Sequence, residues 1–482
     1  MGKYDITRFR KMRALEAQGI DPYPAIYKYT CCIDEVVENE ESYINKEVTI
    51  IGRVTNKHMN NELLEGVITG GKSKLDFRIS SNYKLCSYLD EGDIIQMLGR
   101  IERDNTLRLN ISEFAFVTKS LREYPIKNDW FQDCEKQRFQ YEISLLLSDE
   151  LKEFFIKRSK TLSVIRNFLS GKKFMEVDTP ILLPSPVMAP VKDFSTTVPE
   201  SNPKCYLRIS NTDLMRRYLI SGFERIFHIG KFFRDEPLTY KNYFEFTMLT
   251  FGLAYGTYHD IANIIEETTY ETIEKVFMGN MLVTFRNKKI NLERPWKRIT
   301  MQDAINEYAN IDIGEYYDEK SLREKMREKG IIVKENNLYI ELIDILLDNY
   351  VLPNFVDPTY IVDFPHAFGG PAKELSTNSR FKQRCELFIN GVEVANMSTH
   401  QNNPIKLRQW FEKTLEEKVK KGWKQQELHE DYFFPMEIGS PPCASGAVGI
   451  DRLLMVLMNI DNIIDIVPFP WNFRPKTREE IK

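Results

Sequence analysis

Between Glu47 and Val117 apolar and polar residues alternate with a period of two. Val48-Thr49-Ile50-Ile51, Leu75-Asp76-Phe77-Arg78-Ile79, Ile94-Ile95-Gln96-Met97-Leu98 and Leu107-Arg108-Leu109-Asn110-Ile111 read as short strands. Asn60-Asn61, Gly70-Gly71 and Asp104-Asn105 supply the turns between them. Several short strands in so few residues predict a small closed barrel, although the pattern alone fits a sandwich as well. Ahead of it, Phe9, Met12 and Leu15 recur at helical spacing in a basic stretch from Thr7 to about Leu15. Gly19-Ile20-Asp21-Pro22-Tyr23-Pro24 stops that helix, because proline cannot donate to the ladder. Further on, the period lengthens. Leu151, Phe154, Phe155, Leu162, Ile165, Phe168 and Leu169 give one broad apolar face. Ser148 suits its cap, Asp149 and Glu150 the positive end of its dipole, and Gly171 its close. Helices then alternate with apolar strands, including Arg225–Ile229, Cys385–Ile389 and Ile463–Val467. The expected organisation is an N-terminal helical extension (1–45), a small β domain (46–120), a linker (121–147) and a large α+β domain (148–482).

Composition narrows the function classes. With 42% hydrophobic and 28% charged residues among 482, the chain has the mixture of a folded globular protein. Lys+Arg number 66 and Asp+Glu 70, a net charge of -4, which excludes a uniformly basic nucleic-acid coat. No apolar run approaches the roughly 18–20 residues of a membrane span. The opening Met1-Gly2-Lys3-Tyr4-Asp5 lacks the apolar core of a secretory signal. Seven scattered cysteines without a Cys-x-x-Cys pair indicate neither a disulfide framework nor a zinc site. A reducing, cytoplasmic setting is expected.

Three segments carry candidate chemistry. In Phe232-Phe233-Arg234-Asp235-Glu236, followed by Phe244-Glu245-Phe246-Thr247-Met248, two strands and a loop bearing Lys241 would gather Arg234, Glu236 and Phe246 around one hairpin. Arginine suits a carboxylate or phosphate there because its planar fork donates two parallel hydrogen bonds. Alone, the segment reads equally as an exposed hairpin with an ordinary ion pair. In Ser445-Gly446-Ala447-Val448-Gly449-Ile450-Asp451-Arg452, small residues permit close backbone approach, to a ligand or merely to a neighbouring helix, before Arg452 opens an apolar helix. In Glu386-Leu-Phe-Ile-Asn-Gly-Val-Glu393, Asn390-Gly391 makes a hairpin that would bring the two glutamates face to face. Facing a triphosphate, such a pair can hold Mg²⁺, which takes oxygen ligands; otherwise the two are solvated strand charges.

Taken in order, these segments resemble the signature motifs of class II aminoacyl-tRNA synthetases, and Lys173-Phe-Met-Glu-Val-Asp-Thr-Pro180 resembles their dimer-forming motif 1. Within that class the chain is similar to the lysyl-tRNA synthetase branch. The residues that carry this likeness are Arg13-Ala-Leu-Glu-Ala-Gln-Gly-Ile-Asp-Pro-Tyr-Pro24, Gly222-Phe-Glu-Arg-Ile226, Pro441-Pro-Cys-Ala444 and Pro468-Phe-Pro-Trp-Asn-Phe-Arg-Pro475. The resemblance implies an antiparallel catalytic sheet flanked by helices, an OB-fold barrel that reads an anticodon, a homodimer, and ATP with Mg²⁺ as cofactors. It implies that Arg234 bridges the substrate carboxylate and the α-phosphate and that Glu236 lies near the adenine. Phe246 and Arg452 would cover the two faces of that base, with Asn242 in the ATP loop, Glu386 and Glu393 as metal ligands, and Asn396 on the substrate carboxylate. The activity implied is attack of an ionised carboxylate on the α-phosphorus, with alignment and charge neutralisation as the main catalytic terms.

The same comparison marks departures. Thr212, Thr250 and His400 stand where the branch places glutamates, Gly252 where it places a tyrosine, Ser398 where it places an aromatic, and Ser445 where it places a glycine. In the barrel, Gly66 aligns with a base-stacking aromatic and Asp76 with a glutamine, while Glu113 matches. Lys241-Asn242 replaces Arg-His. Lysine carries two ammonium groups, and burying one without a partner costs several kcal/mol. The expectation is therefore a ligase that adenylates an amino acid or related carboxylic acid other than lysine and passes it to tRNA or another acceptor. The alternatives are a lysine–tRNA ligase with a divergent pocket, in which a carboxylate such as Asp213 compensates, and a non-catalytic RNA- or nucleotide-binding paralogue. His400 reads either as a specificity determinant or as a packed side chain.

Overall fold

The computed structural model describes residues 5–59, 62–122, 149–187, 192–198, 204–420, 428 and 430–468. The expected cap Ser148 and most of the expected linker lie outside the described residues. The chain divides into two compact units, one reaching to Glu153 and one spanning Phe154–Pro468.

In the first unit, helix α1 (Ile6–Ala17) is capped by the Asp5 carboxylate, which accepts from the Arg8 N–H at 3.0 Å. Helix α2 (Ile33–Glu38) follows. Strands β1 (Glu47–Met59), β2 (Leu63–Gly70), β3 (Ser73–Ser80), β4 (Ile94–Arg103) and β5 (Leu107–Thr118) close into a barrel in the order β1-β2-β3-β5-β4, consistent with an OB-fold. The period-two pattern sends Val48, Ile50, Leu75 and Phe77 inward, so the barrel and not the sandwich satisfies it. On β2 the inward positions are Leu64, Gly66 and Ile68, while Glu65 and Val67 are half-exposed. This corrects the expectation for Gly66. A Cβ there would lie 2.2 Å from the Asn56 carbonyl oxygen and 2.8 Å from Phe77, so no ring fits at that position and none would face RNA.

The second unit begins within α3 (Asp149–Gly171), which buries Phe154, Ile165 and Leu169. Strand β6 (Met175–Glu176) follows, then a small sheet of β7 (Leu182–Leu183), β8 (Ser195–Thr197) and β9 (Lys204–Leu207). Helix α4 (Thr212–Ile220) leads to the long pair β10 (Arg225–Phe233) and β11 (Glu245–Ala254), and α5 (Tyr258–Val276) to the hairpin β12 (Leu282–Phe285) and β13 (Lys288–Asn291). After β14 (Lys297–Thr300) come α6 (Met301–Ala309), α7 (Glu319–Glu328) and α8 (Tyr339–Leu346). The remaining elements are β15 (Thr359–Pro365), β16 (Phe381–Ile389), β17 (Val392–Thr399), α9 (Pro404–Lys420), α10 (Glu430–Gly439), β18 (Cys443–Gly449) and α11 (Ile450–Met458). Eight strands form one sheet in the order β14-β15-β16-β17-β18-β11-β10-β6, antiparallel except for the outermost pair at each edge. Leu249, Phe251, Met397 and Val448 on one face pack with Ile165 of α3, Ile261 and Ile265 of α5 and Leu454 of α11. That packing leaves the opposite face of the central strands for chemistry.

The run Ile463–Val467, expected as a strand, is a 3₁₀ turn over Ile463–Ile466. The Asn462 side chain accepts from the Ile464 N–H at 3.2 Å, and Ile463 and Ile466, one such turn apart, are both buried. Among the described residues no helix is long and apolar enough to cross a membrane.

Candidate active site

Cross-strand register assembles the site. His228 lies opposite Thr250, Thr250 opposite Ala447, Ala447 opposite Asn396 and Asn396 opposite Glu386, one row across five strands. The next row runs Ile226, Gly252, Ser445, Ser398 and Arg384. Paired residues share a face, as do residues two apart, so both rows lie on the face opposite the main core.

Positive φ at Asn390 (46°) and Gly391 (72°) makes the two-residue turn between β16 and β17. The glutamates, however, do not stand directly opposite one another. Leu387 pairs with Ala395 and Phe388 with Glu393, so Val394 is the extra residue of a bulge. That bulge rotates Glu393, three residues before Asn396, onto the face Asn396 occupies. Glu386 Oε1 accepts from Arg384 Nη2 at 2.6 Å and from Asn396 Nδ2 at 2.8 Å. Burial pushes the Glu386 carboxyl up to about 7; Arg384 opposes this and Glu393 adds to it. A divalent cation would relieve the same strain, although among the described residues no group of three or more His, Cys, Asp or Glu forms a metal cluster. The two glutamates therefore suit an ion that completes its shell with ligand oxygens and water, as Mg²⁺ does.

Arg452 ties this hairpin to the β10–β11 loop. Its Nη1 donates to the Glu393 carbonyl at 2.8 Å and lies 3.3 Å from the Glu393 carboxylate. Its Nη2 donates to Asn242 Oδ1 at 2.8 Å and its Nε to the Lys241 carbonyl at 3.2 Å. Arg234 sits beside the Phe246 ring, 5.4 Å from its centroid, and its buried Nε has no partner. Burial lowers the Arg234 pKa, with Glu236 and Glu393 opposing and Arg452 adding. An unsatisfied guanidinium N–H is costly unless an acceptor arrives, so the site is built for an anionic oxygen at that point. The structure thus brings Arg234, Glu236, Asn242, Phe246, Glu393 and Arg452 together, with Glu386 and Asn396 adjoining.

The other half of the face differs. Thr212 opens α4 with its hydroxyl 2.9 Å from Ser210 Oγ. Thr250 is buried and donates to the His228 carbonyl at 3.4 Å. A Cβ on Gly252 would come within 2.9 Å of Ile226 Cγ1, so that position has no room for a side chain without repacking. His400 is buried, with Nε2 at 2.5 Å from Ser445 Oγ, and burial assisted by Arg216 drops its pKa to about 3. It is a neutral imidazole. Burial raises the Asp213 carboxyl to about 6 against the pull of Arg216 and Arg217.

Residues 134–472 match the family described as tRNA synthetases class II (D, K and N). The chain belongs to the class II aminoacyl-tRNA synthetases. This synthetase is similar to the Lysine--tRNA ligase of Carboxydothermus hydrogenoformans, at 34% identity over 478 residues and 98% of both chains. The Lysine--tRNA ligase of Buchnera aphidicola subsp. Cinara cedri is 33% identical over 483 residues, covering 96% of this chain and 95% of its own. That of Clostridium botulinum is 31% identical over 476 residues, covering 96% and 94%. The synthetase is accordingly an enzyme of the ligase class, with the mixed α/β architecture of its family.

Sequence reasoning missed three supports of the site. Asp451 accepts from the Thr247 N–H at 2.7 Å and from Arg158 Nη1 at 2.5 Å, and Arg158 Nη2 donates to Thr247 Oγ1 at 2.8 Å. This buried network anchors the first turn of α11, and with it Arg452, to β11. Arg384 is the third, and its place two residues before Glu386, on the same strand face, was the available signal.

Proposed function

We propose that this synthetase condenses ATP with an amino acid, or a related carboxylic acid, other than lysine. The substrate carboxylate oxygen forms a bond to the α-phosphorus, the bond to the bridging oxygen breaks, and pyrophosphate leaves. Arg234 receives the oxygens at the reacting centre, Arg452 and Phe246 hold the base, and Glu236 and Asn242 complete the nucleotide site. Glu386 and Glu393 would hold Mg²⁺, which would supply positive charge to the phosphates, and Asn396 orients the substrate carboxylate. Alignment and charge neutralisation carry the catalysis, because an ionised carboxylate needs no base.

The observation that carries the non-lysine reading is electrostatic. One row beyond Asn396, Ser398 and Ser445 stand opposite each other, His400, held neutral by burial, lies against Ser445, and Arg216, which is buried, bears on His400. An ammonium held only by these hydroxyls and a neutral ring loses several kcal/mol. Asp213 favours the second reading, a lysine–tRNA ligase with a displaced partner carboxylate, as does the similarity to the Lysine--tRNA ligases above. ATP–pyrophosphate exchange with each standard amino acid separates them: exchange with a non-lysine acid supports the first reading, and lysine as the preferred acid supports the second. Exchange with no acid, despite ATP binding, would favour the paralogue that only binds RNA or nucleotide.

The acyl acceptor is tRNA or another acceptor such as an amine. Among the described residues, the outward positions of β2, β3 and β5, which include Glu65, Val67, Asp76 and Glu113, carry no aromatic ring, and a missing stacking ring weakens single-stranded RNA binding by about 1–3 kcal/mol per base. Exposed Met175, Ile181 and Leu182 around the motif-1-like segment support a homodimer, which sedimentation of the intact protein tests. Cys31, Cys32, Cys86, Cys385 and Cys443 are free thiols, in keeping with a reducing, cytoplasmic setting.

A further inference from the structure

The row beyond Asn396 and Ala447 has two chemically different sides. Ser398 and Ser445 stand opposite each other and present hydroxyls, whereas Gly252, next across, lies under Ile226 and Leu219. Ile226 and Leu219 belong to a small apolar cluster with Val177, Met215, Ala254 and Cys443. The row is therefore bordered by a packed aliphatic cluster on one side and by hydroxyls on the other.

His400 closes the hydroxyl side. Its imidazole is 7% exposed, and Nε2 lies 2.5 Å from Ser445 Oγ. A Ser445 hydroxyl that donates to Nε2 keeps lone pairs for an incoming donor; one that accepts from Nε2–H turns its own proton toward an incoming acceptor. Such a pair adapts to either end of a neutral polar group. It cannot neutralise an ammonium. Nor does Arg216 offer an open fork to a carboxylate. Its Nη2 donates to the Gln401 carbonyl, Nη1 to the Tyr432 hydroxyl at 3.3 Å and Nε to Ser440 Oγ at 3.4 Å, with Asp213 as its neighbouring charge.

We propose that the acid activated here has a neutral side chain with an apolar stem and one hydrogen-bonding end, a hydroxyl or carboxamide, and that Ser445, held by His400, is with Ser398 the specificity-determining contact. This inference rests on the non-lysine reading above and goes beyond it by naming the substrate class. A buried site that hydrogen-bonds its substrate rejects the analogue lacking that group, because its own polar atoms are then left unpaired.

The test uses the full-length protein and ATP–pyrophosphate exchange in four arms: lysine; hydroxyl and amide acids such as threonine and glutamine; their apolar counterparts valine and methionine; and glutamate. The best substrate is expected in the second arm. Ser445→Ala should lower kcat/KM for that acid about tenfold and collapse its preference over the apolar counterpart, with ATP affinity unchanged, while Ser445→Thr retains the preference. A purely structural role for Ser445 would weaken all acids alike and would overturn the assignment. Preference for an apolar acid or glutamate would overturn this inference and leave the non-lysine reading standing. Preference for lysine, or exchange with no acid despite bound ATP, would overturn both.

Discussion

The two halves of the catalytic face share strands, register and core, yet differ in electrostatics. Around Arg234 and Arg452 charges meet opposite charges: Glu393 pairs with Arg452 and Glu386 with Arg384, while the buried Arg234 Nε has no partner. Beyond Asn396 the same strands carry hydroxyls, a glycine and a neutral imidazole. A scaffold that holds these charges in place through backbone pairing and the Arg158–Asp451 bond can change its second half without disturbing the first. If the proposed roles hold, the contrast teaches that the charged contacts and the acid-side hydroxyls sit in adjoining rows, joined by the Arg384–Glu386 bond.

The largest expected effect breaks the charged half. Arg234→Ala should lower pyrophosphate exchange by about 10²–10³-fold while the urea midpoint stays in place, since its Nε serves no protein partner. A large loss of stability would recast Arg234 as structural. Asp451→Ala should lower the folding free energy by about 3–5 kcal/mol in urea unfolding, because it strands the buried Arg158 guanidinium. A near-neutral result would show that the two halves are not anchored as described. His400→Glu sharpens the contrast from the other side: a carboxylate at that point should raise lysine-dependent exchange about tenfold or more, the size of one charge-assisted hydrogen bond. Unchanged acid preference would remove His400 from selection. The smallest effect is on stability against pH. His400 titrates near 3 in the folded chain against 6.5 unfolded, so its contribution is whole above 6.5 and is lost as pH falls from there toward 3. Replacing it with Gln should flatten acid unfolding in that window by about 1–2 kcal/mol at about pH 5.

Much of this was legible from pattern. The barrel strands announced themselves by alternation, and α3 ends at the glycine that its sequence nominates. What the sequence hid depended on parity and distance. A single bulged residue, Val394, decides which face Glu393 shares with Asn396, and no propensity marks it. Gly66 misled because an offset of one residue exchanges the inside of a barrel for its outside. Asp451 finds Arg158 almost three hundred residues away, a contact that only the folded sheet creates. Gly252 is intelligible only once Ile226 of the adjacent strand occupies its space.

The most direct measurement is pyrophosphate exchange by the intact protein with saturating ATP and lysine as the sole acid. A rate at the no-acid background is the predicted result. A lysine kcat/KM within the range of about 10⁴–10⁸ M⁻¹s⁻¹ usual for enzymes on their own substrates would contradict the account, because it would require a carboxylate partner for the side-chain ammonium.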